Sequence, residues 1–316
     1  MSEITATNTL GLALRDIKLA HSVFALPFAL LAATLAVPEN DTPARIALKI
    51  SLIVACMVFA RTWAMLFNRI ADATIDAANE RTARRAVASG ELSRDRAWAF
   101  AGGAAALFVV TTAGFLAAFG NPWPLALSLP TLVFIAFYSL TKRFTLLCHV
   151  FLGAALGVSP LAATVAVDPA AFEGWPFRDG LALSSMGRAA AAGWLSLFVL
   201  AWVAGFDVIY ALQDLDFDRE RGLHSVPSKL GWRGAAWTSR GLHILSLAML
   251  GLAAAADDRL GTIFIAGCLA AVALLATEHA VLIKRGREGI PMAFFTLNGV
   301  VSVVLGLAGI ADVLIP

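Results

Sequence analysis

The chain has 316 residues, of which 59% are hydrophobic and 15% charged, with a formal net charge of +2 and a mean hydropathy of +0.78. Soluble domains carry about 45–50% apolar and 25% charged residues, so a single water-exposed globule is excluded, and the small net charge gives nothing to attract nucleic acid. The apolar excess comes as long runs, not as strand-like alternation, and several runs reach the roughly 20 residues that a helix needs to cross a bilayer. The fold class expected is therefore all-α, a polytopic membrane protein.

Taken in chain order, the polar start MSEITATNTLGLALRDIK lacks a cleavable signal pattern, and the apolar run after it is long enough to span. Nine spans are expected, at about 19–37, 46–68, 97–119, 122–140, 145–167, 189–212, 235–256, 261–283 and 290–315. Turns such as GNPWP at 120–124 and DDRLG at 257–261 separate neighbours, and LGAALGVSPLAA at 152–163 places Gly and Pro inside a span. Cys56, Cys148 and Cys268 each lie in an apolar run without metal-ligand spacing, which argues against disulfides and zinc.

Lys and Arg divide unevenly between the two ends of these spans. Eighteen fall on the side that holds the N-terminus and the loops after spans 2, 4, 6 and 8, five on the other, and Arg61 lies inside span 2. Because cytoplasmic loops carry the excess, the N-terminus and charged loops are expected in the cytoplasm, the C-terminus outside, and the protein in the inner (plasma) membrane.

Two charged stretches interrupt the apolar pattern. FNRIADATIDAANERTARR, residues 67–85, holds Asp72 and Asp76, and FDVIYALQDLDFDRERGLHSVP, residues 206–227, holds Asp214 and Asp218. The pairs are each four apart, are offset by 142 residues, and sit at the cytoplasmic ends of spans 2 and 6, as a duplicated four-helix unit would place them. One integral-membrane domain of two pseudo-repeated halves, about 1–143 and 144–316, is the expected organisation.

On a continuous helix, positions four apart share a face, so Arg61, Asn68, Asp72 and Asp76 form one stripe and Asp207, Tyr210, Asp214, Asp218 and Arg221 another. Two carboxylate pairs across a cavity would suit Mg²⁺, which takes a few carboxylates together with phosphate oxygens, and the neighbouring arginines would clamp the remaining phosphate charge. Four like charges repel unless a cation holds them. Ionisable Arg61 and Asp207 inside spans read as functional, whereas Glu80, Arg94, Asp95, Arg96, Asp216 and Glu220 read as solvated loop charges. An ion transporter would also place paired acids in spans, but its site tends to the bilayer midplane, while both pairs here lie at one face beside arginines.

The two stretches, NRIADATIDAANERTARR and YALQDLDFDRERGLHSVPSKLG, resemble the aspartate-rich motifs of the UbiA superfamily of intramembrane prenyltransferases. KLAHSVFALPFALLAA, YSLTKRFTLLCHVFLGAALGVSPLAA and EHAVLIKRG with AFFTLNGVVSVVLG extend the likeness along most of the chain, toward the 4-hydroxybenzoate polyprenyltransferase-like branch, which includes menaquinone-pathway members. The resemblance implies nine helices around a central cavity and Mg²⁺-dependent transfer of a polyprenyl group from its diphosphate to an aromatic acceptor. That acceptor is 4-hydroxybenzoate in the ubiquinone pathway or a dihydroxynaphthoate in the menaquinone pathway. It also implies that Asn68, Asp72, Asp76, Asp214 and Asp218 hold the metal and diphosphate, and that Arg81, Arg85 and Lys142 contact phosphate. Arg69 stands where many relatives have Asp, and Ala86 where Pro is common. His21, Arg61, Asp207 and Tyr210 are the candidates for the acceptor ring. His279 beside Glu278 reads as a helix-end pair, Asn298 as a cross-helix hydrogen bonder, and His149, His224 and His243 show no partner spacing.

Overall fold

A computed structural model describes residues 24–172 and 187–315, together with Gly11. The described residues are helical, without a strand. Among the described residues, seven helical stretches are long and apolar enough to cross a membrane: Pro43–Ala71, Arg94–Phe119, Cys148–Val167, Ala190–Glu220, Val226–Ala255, Thr262–Gly289 and Met292–Leu314. Two shorter apolar helices, Leu26–Ala36 and Ser128–Thr141, stand where the first and fourth expected spans fall. Large apolar side chains lie exposed along the long helices, among them Val110, Ile244, Leu269 and Leu307, as on a surface solvated by lipid.

The helices are α1 (Leu26–Ala36), α2 (Pro43–Ala71), α3 (Ala73–Ala78), α4 (Arg94–Phe119), α5 (Trp123–Ala126), α6 (Ser128–Thr141), α7 (Cys148–Val167), α8 (Ala190–Ala211), α9 (Leu215–Glu220), α10 (Val226–Ala255), α11 (Thr262–Arg285) and α12 (Asn298–Leu314). They form two compact units.

The unit over residues 54–140 carries the first acidic stretch. Leu66, Ile70, Ala73, Ala86, Val87, Leu92, Ala97 and Ala101 make its buried core. Trp63 donates its indole N–H to the Leu132 carbonyl at 2.9 Å, tying α2 to α6. Ser93 caps α4 by accepting the Arg96 N–H, and Gly120 ends it in the left-handed region at φ 69°, the usual stop for a helix.

The unit made of residues 24–53 and 141–315 carries the second stretch. At its centre runs α8, buried along nearly its whole length. Trp202 stacks on Phe198 with ring centroids 5.6 Å apart and meets Phe24, Phe28 and Phe206 edge-on. Close approach of α7 to α8 depends on small residues. A Cβ on Gly153 would fall on the Leu200 carbonyl oxygen, and one on Gly157 would lie 2.7 Å from the Ser196 carbonyl oxygen. Pro160, inside α7, has no N–H to offer the Leu156 carbonyl, and the Ser159 hydroxyl donates to that carbonyl at 2.8 Å instead. Helix α10 breaks at Gly231 (φ 68°), so its apolar length starts near residue 235, although helical winding begins at Val226.

Lys49, buried on α2, donates to the Asp41 carboxylate at 2.6 Å and to the Val167 carbonyl at 2.8 Å, which binds the end of α7. Burial alone would push the Asp41 carboxyl up; Lys49 and Arg45 overcome this and hold it below the ordinary aspartate value. The contribution of Asp41 to stability is therefore full above the unfolded value of about 3.9 and is lost as pH falls through the lower folded value. Asp41→Asn is expected to flatten the fall in Tm between about pH 5 and pH 3, as read by thermal unfolding in detergent.

Candidate active site

The first acidic stretch is built around a break in the helix. Helix α2 ends at Ala71, and Asp72 turns out of it at φ −95°, ψ 6° to start the six-residue α3. One turn earlier, Asn68 donates its amide to Asp72 Oδ2 at 3.0 Å and accepts from Arg69 Nη1 at 2.9 Å. Asp76, one turn after the break, is buried, and Arg85 Nη1 reaches both its oxygens at 2.7 Å. Arg69 comes within 4.0 Å of the same carboxylate. Two carboxylates and two guanidiniums thus balance locally, and the arginine at 69 has its partners here.

The loop that returns Arg85 is fixed by Thr82, whose hydroxyl donates to the Asp76 carbonyl at 3.0 Å. It is fixed also by Ala86, which lies wholly inside the unit's core, so a proline at 86 is not required to anchor it. Arg81 and Arg84 stay exposed. Arg61, two turns before Asn68 on α2, has Tyr138 and Arg69 as its electrostatic neighbours.

The second stretch repeats the break. Beyond α8 a tight turn, Leu212–Asp214, leads to Asp214 at φ −100°, ψ 9°, which starts the six-residue α9. Asp218, one turn later, has no exposed surface. Its Oδ1 pairs with Lys142 Nζ at 2.8 Å, and its Oδ2 accepts the Ser225 hydroxyl at 2.8 Å. Ser225 in turn caps α10 in a reciprocal capping box with Ser228. Burial works against the Lys142 ammonium, yet the Asp218 carboxylate overrides it and holds the lysine above its ordinary value. Lys142 therefore carries its charge throughout the neutral range.

A second layer of bonds seats this loop. His224 donates its backbone N–H to the Lys142 carbonyl at 2.8 Å, and the Cys148 thiol donates to the His224 carbonyl at 3.3 Å. His149 is buried and lies 2.6 Å from Asp207 Oδ2 through Nδ1, while its Nε2 accepts the Val226 N–H at 3.2 Å. An Nε2 that accepts cannot carry the ring hydrogen, so Nδ1–H donates to Asp207. Val226 is the first residue of α10, and its N–H is one of the orphans at a helix start. His149 satisfies it. Tyr210, one turn before Asp214, rests on Phe294 with ring centroids 4.2 Å apart.

Each unit thus presents a pair of aspartates at a helix break with a cation against the second member. Among the described residues, no group of three or more His, Cys, Asp or Glu side chains is placed to hold a metal ion by itself. Mg²⁺ is usually held by one or two carboxylates with waters and phosphate oxygens, and these hard oxygen donors fit it in company with a phosphate. His21 lies outside the described residues.

The sequence profile of the UbiA prenyltransferase family matches residues 25–300. The chain belongs to that family. It is 31% identical to the 4-hydroxybenzoate octaprenyltransferase of Pasteurella multocida, over 79% of this chain and 78% of that one. To the enzyme of the same name from Alkalilimnicola ehrlichii it is 29% identical, over 77% and 74%. Among solved structures, the apo form of a UbiA homolog from Aeropyrum pernix K1 matches with a TM-score of 0.77 at 30% identity, over 93% of this chain and 98% of that one. A UbiA homolog from Archaeoglobus fulgidus bound to DMAPP and Mg²⁺ shares the fold, with a TM-score of 0.67 at 16% identity over 96% and 99%. The chain is a UbiA-family prenyltransferase of apolar membrane helices, and the competing transporter reading falls away.

Within this UbiA-family site, the sequence pointed to both aspartate pairs, Asn68, Arg85 and Lys142, and the structure puts a partner on each of Asn68, Asp76, Asp218, Arg85 and Lys142. Three expectations need correction. The carboxylate stripes do not run on unbroken helices, because each helix breaks at its first aspartate. His149 and His243 do have partners, Asp207 and His279. Glu278 and His279 do not form a helix-end pair: Glu278 is wholly buried and accepts from Asn298, while His279 meets His243. The partners of His149 lie 58 and 77 residues away, beyond any local spacing signal.

Proposed function

We propose that this prenyltransferase moves a polyprenyl group from polyprenyl diphosphate onto an aromatic quinone precursor, 4-hydroxybenzoate, in ubiquinone biosynthesis. The observation that carries the reading is the twofold pairing of a buried aspartate with a cation, Asp76 with Arg85 and Asp218 with Lys142, beside an aspartate at a helix break. The names of the octaprenyltransferase relatives favour the acceptor.

Asn68, Asp72 and Asp76 in one unit and Asp214 and Asp218 in the other would hold Mg²⁺ through their oxygens. Bound there, the ion would stabilise the charge that develops on the leaving diphosphate. Arg81, Arg85 and Lys142 would add donors aimed at the same charge, and preorganised donors of this kind give a large share of catalysis. The allylic C–O bond breaks with its electron pair leaving on the diphosphate. Apolar side chains around the allyl cation exclude the water that would quench it. The electron-rich ring forms the new carbon–carbon bond and loses a proton to regain aromaticity. Arg61, Asp207, Tyr210 and His21 are the residues we assign to the acceptor, with His149 holding Asp207 in place. The Lys and Arg bias supports an orientation with the acidic stretches and the N-terminus at the cytoplasmic face of the inner membrane and the C-terminus outside.

The test uses purified protein in detergent with radiolabelled geranyl diphosphate and Mg²⁺, offering 4-hydroxybenzoate and a dihydroxynaphthoate in parallel. Prenylated 4-hydroxybenzoate is the expected product, absent with EDTA and in Asp72→Ala and Asp214→Ala. Product from the dihydroxynaphthoate alone would move the enzyme to the menaquinone branch. No product from either acid, with longer donors also tried, would overturn the reading.

A further inference from the structure

Glu278 sits within the apolar helix α11 and has no exposed surface. Such a group is costly in a membrane span and is kept there for a reason. Its Oε2 accepts the Asn298 side-chain amide at 3.2 Å, and its Oε1 has no hydrogen-bond partner. No ion pair holds it among the described residues, and the diphosphate chemistry does not call on it.

The bonds lead from Glu278 to an unusual piece of backbone. Residues Met292–Leu297 wind as a π-helical turn that passes into α12 at Asn298. Such turns are rare and concentrate at functional sites. The Asn298 amide spans this one. It donates to the Ala293 carbonyl at 2.8 Å and the Phe294 carbonyl at 3.3 Å as well as to Glu278, and its oxygen accepts the Trp202 indole N–H at 2.6 Å. Trp202 donates only, so the amide has one orientation. Neither Asn298 nor Glu278 has exposed surface.

What the turn delivers is Phe294. Its ring lies 4.2 Å from Tyr210, 5.4 Å from Phe206 and 5.6 Å from Phe24, centroid to centroid. Tyr210, near the end of α8 and one turn before Asp214, is one of the residues assigned to the aromatic acceptor. Trp202 and Phe206 lie on the same helix as Tyr210, so one end of the bond chain and the ring it places meet on α8.

We propose that Glu278 and Asn298 are positioning residues: the Trp202–Asn298–Glu278 chain fixes the π turn that seats Phe294 on Tyr210, and thereby sets how the enzyme uses its aromatic acceptor. The inference rests on the acceptor reading of Tyr210. Neither residue touches the reacting atoms. Loss of either bond frees the turn to rewind, which shifts Phe294 and leaves Tyr210 without its wall.

The experiment measures KM and kcat for each substrate separately in Glu278→Ala, Glu278→Gln, Asn298→Ala and Phe294→Ala. Glu278→Ala and Asn298→Ala should weaken kcat/KM for the aromatic acid by about tenfold, the size of one lost buried hydrogen bond, with the KM for geranyl diphosphate unchanged. Phe294→Ala should give the same split. Glu278→Gln keeps a carbonyl oxygen for Asn298 and should recover wild-type constants. Equal loss toward both substrates, an unchanged acceptor constant in the alanine variants, or a Gln variant as impaired as the Ala variant would each overturn the proposal. If Asn298→Ala does not fold, the Glu278 pair and Phe294→Ala decide it. Failure of the reaction reading shows in the wild-type protein, which would then prenylate neither acid, whereas failure of this inference leaves wild-type turnover intact.

Discussion

Asp218→Ala is expected to lose activity by more than about 100-fold, the scale of removing a preorganised charge-stabilising group, and to lose stability as well. The carboxylate has three dependents: the Lys142 ammonium at 2.8 Å, the Ser225 hydroxyl at 2.8 Å, and through Ser225 the cap of α10. Deleting one partner of a buried charged pair strands the other, and because Lys142 keeps 35% of its side chain exposed, the cost should fall near the low end, about 3 kcal/mol. Asp218→Asn separates the two effects. Its amide oxygen can still accept from Ser225 or Lys142, so most of the stability should return, while the lost negative charge keeps activity low. Thermal unfolding in detergent beside the prenyl-transfer assay reads both. An Asn variant with wild-type turnover would remove Asp218 from the charged machinery.

Gly153→Leu is expected to cost more than about 3 kcal/mol, at or beyond the upper end of overpacking effects. The clash is with main chain, the Leu200 carbonyl, and no rotamer relieves it. Helices α7 and α8 must part, which also opens the Gly157 contact one turn on. Since α7 brings Cys148 and His149 to the second acidic stretch, activity should fall with stability. Gly102→Ala is the matched control. Nothing lies within 4 Å of a Cβ at Gly102, inside α4, so alanine there should gain about 0.5–1 kcal/mol from backbone entropy. A Gly153 variant as stable as the Gly102 variant would refute the packing argument.

Much of this was legible in one sequence, for reasons that differ from residue to residue. Spans are legible because a bilayer demands a continuous apolar length, and the ends of α4, α8 and α11 fall within about three residues of the expected limits. Asp72, Asp76, Asp214 and Asp218 stand out because charge in such a chain is rare. Arg85 lies nine residues after Asp76, whereas Lys142, far from all four aspartates in the chain, is reached only through the resemblance of YSLTKR to the family. The helix breaks at Asp72 and Asp214 are not legible: no Gly or Pro marks them, and the periodicity continues across each. His149 and Glu278 are illegible for another reason. Their worth lies in Asp207, Val226 and Asn298, on other helices, and a lone His or a Glu near a helix end reads the same whether such a partner exists or not.

The two acidic stretches also differ in when they can be completed during synthesis. Asp76 finds Arg85 nine residues later, so the first cluster can close on itself as soon as its loop leaves the ribosome. The second cluster cannot. Asp218, His224 and Val226 close onto Lys142, Cys148 and His149, made some 75 residues earlier, and Ser225 closes onto Asp218, already made. These three partners precede the residues that close onto them, so residues 218–226 emerge to a seat that already exists, provided α7 has reached its final depth in the bilayer, whereas Asp216 waits for Arg287. A chain stalled before residue 228 would therefore hold both aspartate–cation pairs, Asp76 with Arg85 and Asp218 with Lys142, but neither the Arg287 partner of Asp216 nor the Phe294 ring against Tyr210.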